Sequence, residues 1–192
     1  STASDLATKI GQRLAKDALG AKINGVVCDL ATPLKDGDRV EILTFESPEG
    51  KDVFRHSASH IMASAILRYR PNTRLAIGPP IEDGFYYDID TDPPLTEEDF
   101  PAIEEEMAKI VHEDSPFVRK QVPKDEALQY FKSRGDSYKV ELINDLPDTT
   151  VTYYQHGDFV DLCRGPHLPS TGKVKAFKLL SVAGAYWRGD ER

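Results

Sequence analysis

Two pairs of side chains in this 192-residue chain have the types and spacing to do chemistry. The first is His56 and His60 in "RHSASHIMASAIL", and the second is Cys163 and His167 in "DFVDLCRGPH". Four residues make just over one helical turn, so His56 and His60 share a face, about 40° apart at 100° per residue. The glutamate that would act as base in a zinc-protease HExxH motif is missing. If residues 158–163 are extended, Phe159, Asp161 and Cys163 lie on one face, with Val160 and Leu162 on the other. Gly165-Pro166 then turns the chain so that His167 comes back towards Cys163. Three imidazoles and one thiol are the ligand set of a tetrahedral zinc site. The residues alone leave open whether the four hold zinc or handle water directly. His112 and His156 lie outside both pairs and are expected on the surface.

The helix carrying the first pair is expected over about 53–70. Its apolar side is Ala58, Ile61, Met62, Ala65, Ile66 and Tyr69, opposite the histidines. Around the histidines sit Ser59, Ala63, Ser64 and Leu67, mostly small, so another segment can approach the helix backbone closely. Ahead of it, Leu6, Ile10, Leu14 and Ala18 recur at helical spacing, with Ser1, Thr2 and Ser4 as cap candidates and Gly20 as the stop. Asn24-Gly25 reads as a hairpin turn between short strands, and "KDGDRVEILTF" as a further turn and strand. Cys28 lies in an apolar strand and reads as an inert thiol. Residues 46–51, "ESPEGK", read as a loop or linker.

After the histidine helix, "RLAIGPPIEDGFYYDID" reads as two strands turned around Pro79-Pro80 and Asp83-Gly84. Tyr87 alternates with Phe85 and Ile89, which turns it inward. A helix with Phe100, Ile103, Met107 and Ile110 on its buried stripe follows. Then come the strand "FVRKQV", a helix from about Pro123 to Gly135, a short helix around "SYKVELI", strand-rich "TVTYYQHGDFVDLCRGPH" and a final β segment in "AFKLLSVAGAYWRG". The pattern is α+β, with helices laid on a largely antiparallel sheet.

Composition bounds what this can be. The net charge of −8 disfavours a general polyanion binder, yet residues 1–114 carry −10 and residues 115–192 carry +2, so a nucleic acid would meet the second half. No apolar run is long enough to span a membrane, and the first twenty residues lack the apolar centre of a signal peptide. Two cysteines far apart make no disulfide framework and point to a reducing, cytoplasmic setting.

The ordered set "RHSASHIMASAI", "AIGPPIEDGFYYDID", "SYKVELI", "DFVDLCRGPH" and "FKLLSVAGAYWRGD" closely resembles the editing domain of bacterial-type threonyl-tRNA synthetases. Residues 1–45 resemble the small ubiquitin-like β-grasp (TGS) domain that precedes it, with its opening hairpin absent. The resemblance implies three parts: a TGS-like domain at 1–45, a linker at 46–52 and an editing domain at 53–192. The chain stops where the family continues into a class II catalytic core and an anticodon-binding domain. The resemblance thus implies an amino-terminal fragment without ATP-dependent aminoacylation. ATP, magnesium and zinc would belong to that absent core, as would homodimerisation, and editing itself would need no cofactor.

The implied activity is hydrolysis of the ester of serine misattached to threonine tRNA at its 3′ acceptor end. By motif match, His56, His60, Cys163 and His167 line the pocket, with Tyr87, Lys139 and Asp161 around them. His56 positions or deprotonates water, with imidazole titrating near neutral pH. Lys139 stabilises charge or relays a proton to the ribose oxygen. Asp161 holds the serine amino group or orients a histidine, while Cys163 and His167 shape the pocket. Two other readings stand beside this one. Alanyl-type editing proteins hold zinc with a similar HxxxH and CxxxH set, here His56, His60, Cys163 and His167. An RNA-binding module without catalysis would use Tyr86, Tyr153, Tyr154, Tyr186 and Trp187 to stack on an unpaired tRNA end.

Overall fold

A computed structural model describes residues 1–184. The front of the chain forms two short helices, α1 (Ala3–Ile10) and α2 (Gln12–Asp17), beside a three-stranded antiparallel sheet. Thr2 caps α1 in a reciprocal box with Asp5, as the polar opening residues allow. The expected single helix is broken at Gly11, which ends α1 and opens α2; Ile10 is consequently exposed. β1 (Gly20–Ile23) and β2 (Val26–Cys28) are joined by Asn24 and Gly25, both at positive φ (50° and 84°), the geometry of the expected hairpin turn. β3 (Val40–Leu43) pairs with the other edge of β1. Ala3, Ala7, Ala18, Ala21 and Leu30 form a small core of their own.

α3 (Pro48–Tyr69) starts earlier than expected. Ser47 caps it by accepting from the Gly50 N–H, and Pro48 sits at the first turn where its missing N–H costs nothing. Most of the stretch read as a loop at 46–51 is therefore helix. Both sides of α3 are covered. Ile61, Ala65 and Ile66 pack with Ile103, Met107 and Ile110 of α4 (Phe100–Glu113), and Ala63 packs with Leu75, Tyr87 and Phe159.

Residues 74–90 fold back on themselves as two short ladders. β4 (Arg74–Leu75) pairs with β7 (Ile89–Asp90), and β5 (Pro80–Ile81) with β6 (Gly84–Phe85). The sheet β10-β9-β8, from β8 (Val118–Pro123), β9 (Thr150–His156) and β10 (Phe159–Leu162), is antiparallel throughout. α5 (Lys124–Ser133) and α6 (Ser137–Asp145) cover it, through Ala127, Phe131, Ile143 and Val151. The α+β class stands as read. The final β segment does not: after the turn at Thr171–Lys173, residues 174–184 carry no regular structure, and 185–192 lie outside the described residues.

Candidate active site

β10 and α3 bring the two motif pairs together. Burial alternates along β10 as its pleat requires, with Phe159 and Asp161 inward and Val160 and Leu162 less so. Beyond it, Gly165 at φ 72° turns the chain, and a Cβ there would strike the Tyr154 hydroxyl. Cys163 Sγ then lies 3.3 Å from His56 Nε2 and 3.4 Å from His167 Nε2. One donor atom from each of His56, His60, Cys163 and His167 falls within 4.8 Å of all the others.

Ser57 anchors His167: its Oγ donates to the Val53 carbonyl, accepts from the Leu168 N–H and lies 2.9 Å from His167 Nδ1. His167 Nε2 faces the thiol. Phe117 stacks on the far side of the His167 ring at 4.8 Å.

A second cluster adjoins the first. Asp161 Oδ2 lies 3.5 Å from His60 Nδ1 and accepts from the Tyr87 hydroxyl. Asp161 Oδ1 forms an ion pair with Lys139 Nζ at 2.6 Å. That ammonium also donates to the Ala76 carbonyl (2.6 Å) and to the Tyr87 oxygen (2.9 Å). Three oxygens therefore surround a group with three N–H bonds. Tyr87 reaches this position because Gly78 has no Cβ to meet its ring, while the Gly78 carbonyl accepts from Ser59 of α3.

Burial sets the charge states. Desolvation holds His56, His60 and His167 below the ordinary imidazole value, the last two well below it. The three rings are neutral at pH 7 and able to accept a proton or a cation. Burial pushes the Cys163 thiol up to about 12 and raises Tyr87 well above the usual phenol range. Among the clustered histidines only His56 is not fully buried.

The seven residues expected at the site form two bonded groups, His56, Cys163 and His167 and then His60, Tyr87, Lys139 and Asp161, which meet where the His60 ring packs on those of His56 and His167. His112 is exposed as expected. His156 is not: it is 4% exposed, between Phe117 and Phe159, and burial lowers its pKa to about 4. It shares strand parity with the buried Tyr154, a signal that strand alternation offers. Of the aromatics considered for stacking, Tyr86 is exposed, Tyr153 lies parallel to Tyr130, and Tyr154 is buried. Tyr186 and Trp187 lie outside the described residues.

Residues 1–44 match the TGS domain family, and residues 151–192 match the threonyl and alanyl tRNA synthetase second additional domain. Over its full length the chain is 52% identical to the threonine–tRNA ligase of Desulforamulus reducens and 54% identical to that of Pelobacter propionicus. Over its whole length the chain is similar to the amino-terminal region of threonine–tRNA ligases. A third relative, the threonine–tRNA ligase of Clostridium tetani, is 54% identical over 98% of the chain. The chain spans about 30% of the length of each of these relatives. Both domain matches fit the amino-terminal, editing-associated region of the family. Among the described residues no helix is long and apolar enough to cross a membrane.

Proposed function

We infer that this chain is an editing hydrolase, cleaving the ester that joins serine to the 3′ end of threonine tRNA. The observation that carries the reading is the neutral, half-buried His56 beside Cys163 and His167, next to the buried group of Lys139, Asp161 and Tyr87. The demand for such a site is physical. Serine lacks one methyl of threonine, and a binding pocket gains only about 1–3 kcal/mol from such a difference. A second pocket that admits serine and excludes the larger side chain supplies the rest.

In the reaction, water adds to the ester carbonyl carbon while its proton passes to His56. The tetrahedral oxyanion collapses, the bond to the ribose oxygen breaks, and that oxygen takes its proton back from the imidazolium. The products are free serine and uncharged tRNA. Lys139 contributes positive potential and fixes Asp161 and Tyr87; its own donors are turned to protein oxygens. Asp161 orients His60 or receives the serine ammonium, and Cys163 and His167 form the wall. The reading places a TGS-like unit at 1–45 ahead of the editing unit, in a cytoplasmic protein. Aminoacylation, its ATP, magnesium and zinc, and dimerisation are assigned to the remainder of the longer relatives.

One observation favours a second reading. A tetrahedral zinc, with bonds of about 2.3 Å to sulfur and 2.0–2.1 Å to nitrogen, needs donor atoms about 3.3–3.6 Å apart. The sulfur-to-nitrogen contacts of 3.3 and 3.4 Å around Cys163 Sγ lie near the upper value, and all four donor atoms fall within 4.8 Å of one another. His56, His60, Cys163 and His167 would hold the ion, which would supply a Lewis acid and an activated water, as in an alanyl-type deacylase.

The experiment is single-turnover deacylation with enzyme in excess. Seryl-tRNA for threonine should be hydrolysed and threonyl-tRNA spared. Tight tRNA binding with the seryl ester left intact would instead mark an RNA-binding module.

A further inference from the structure

The front unit reaches into the editing site through one side chain. Asp29 follows β2, and its Oδ1 accepts from the backbone N–H of His167 at 2.8 Å, 138 positions along the chain. Its Oδ2 accepts from the Tyr154 hydroxyl at 2.7 Å. Tyr154 belongs to β9, directly across from Asp161 of β10, and its ring meets the His167 ring edge-on at 4.5 Å. The same hydroxyl occupies the space that a side chain on Gly165 would need. One carboxylate therefore grips the returning end of the Cys163–His167 turn and the strand beneath it.

This grip has the right chemistry to be firm. His167 is 1% exposed, so its N–H needs a protein acceptor. Both bonds end on a carboxylate, which makes them charge-assisted. The segment holding Asp29 is itself anchored, since the neighbouring Leu30 is buried and its carbonyl accepts from the Ser4 N–H of α1. Other contacts join the two units, including the Lys22–Glu49 ion pair and Leu19 packed with Val53. These touch α3 near its start, and among the described residues of the front unit only Asp29 hydrogen-bonds the turn that presents Cys163 and His167.

We propose that Asp29 is a positioning residue for ester hydrolysis, through which the TGS-like unit sets the geometry of the editing pocket. This rests on the editing reading above. The role is to hold His167 Nε2 and Cys163 Sγ at their distance from His56; Asp29 itself touches neither substrate nor water.

The test compares Asp29→Ala, Asp29→Asn and Lys22→Ala in the whole chain, by single-turnover seryl-tRNA hydrolysis and by the ¹⁵N resonances of the His167 ring. Misplacing a pocket group costs rate steeply, so Asp29→Ala should slow hydrolysis roughly tenfold or more while a seryl-adenosine analogue binds nearly as well. Asp29→Asn keeps an acceptor for the His167 N–H and should recover much of that rate. Lys22→Ala, which breaks a different contact between the units, should match the parent in both readouts. Parent-like hydrolysis and unmoved His167 resonances in both Asp29 variants would overturn the proposal, as would equal losses in Lys22→Ala. If Asp29→Ala does not fold, Asp29→Asn and Tyr154→Phe decide by the same resonances. A parent with no deacylation would defeat the editing reading, and the resonances would still decide whether Asp29 sets the His167 ring.

Discussion

Lys139 Nζ and Asp161 Oδ1 stand 2.6 Å apart, with 3% and 2% of their side chains exposed. A charge pair so deep is held in place by its neighbours, here Tyr87, Ala76 and His60, and removing one partner strands the other.

Lys139→Ala should therefore lower seryl-tRNA hydrolysis roughly 10²-fold. It should also destabilise the fold by about 3–5 kcal/mol, the usual cost of an unpaired buried charge. Adding Asp161→Asn to Lys139→Ala should return stability but not rate. Denaturant unfolding and single-turnover kinetics on the two proteins check both halves, and a recovered rate would contradict the role given to the pair.

His156 predicts an acid-sensitive fold. Its pKa is about 4 when folded and about 6.5 when exposed. The unfolded chain therefore binds the proton first as pH falls. The contribution is fully present above about pH 6.5 and is lost progressively between there and about pH 4. His156→Phe should flatten the stability profile in that window by up to about 1.4 kcal/mol per pH unit. His156→Ala should be clearly destabilising, whereas the exposed His112→Ala should match the parent. An unchanged acid limb in His156→Phe, measured by urea unfolding at several pH values, would show that the buried ring does not titrate as described.

The metal question has a direct answer in solution. A pocket in which His56 handles water needs no ion, so protein purified without added metal should contain well under one zinc per chain and should keep its deacylase activity after chelation. Elemental analysis near one zinc per chain, with activity lost on chelation, would transfer the chemistry to the zinc reading.

Much of the site was legible because it is local. The i,i+4 spacing of His56 and His60, the alternation through Asp161 and Cys163, and the glycine turn before His167 each follow from backbone geometry. So did the Ile103, Met107 and Ile110 stripe of α4. The start of α3 was hidden because Pro48 and Gly50 look like loop residues, although Ser47 before a proline is also a helix opening. His156 was misplaced by reading it as a leftover from the motif pairs instead of as an inward position of a strand. Ser57 and Asp29 carried no signal: each acts through a contact more than a hundred positions away, which only the packed chain creates.

The central claim is that the ester is cleaved beside His56, and one measurement tests it most directly. With enzyme saturating over seryl-tRNA, the single-turnover rate of His56→Ala is compared with that of the parent, alongside the affinity of each for a seryl-adenosine analogue. A group acting mainly in the transition state gives a loss of roughly 10²-fold or more in rate with little change in affinity. A His56→Ala protein that hydrolyses seryl-tRNA as fast as the parent would contradict the account.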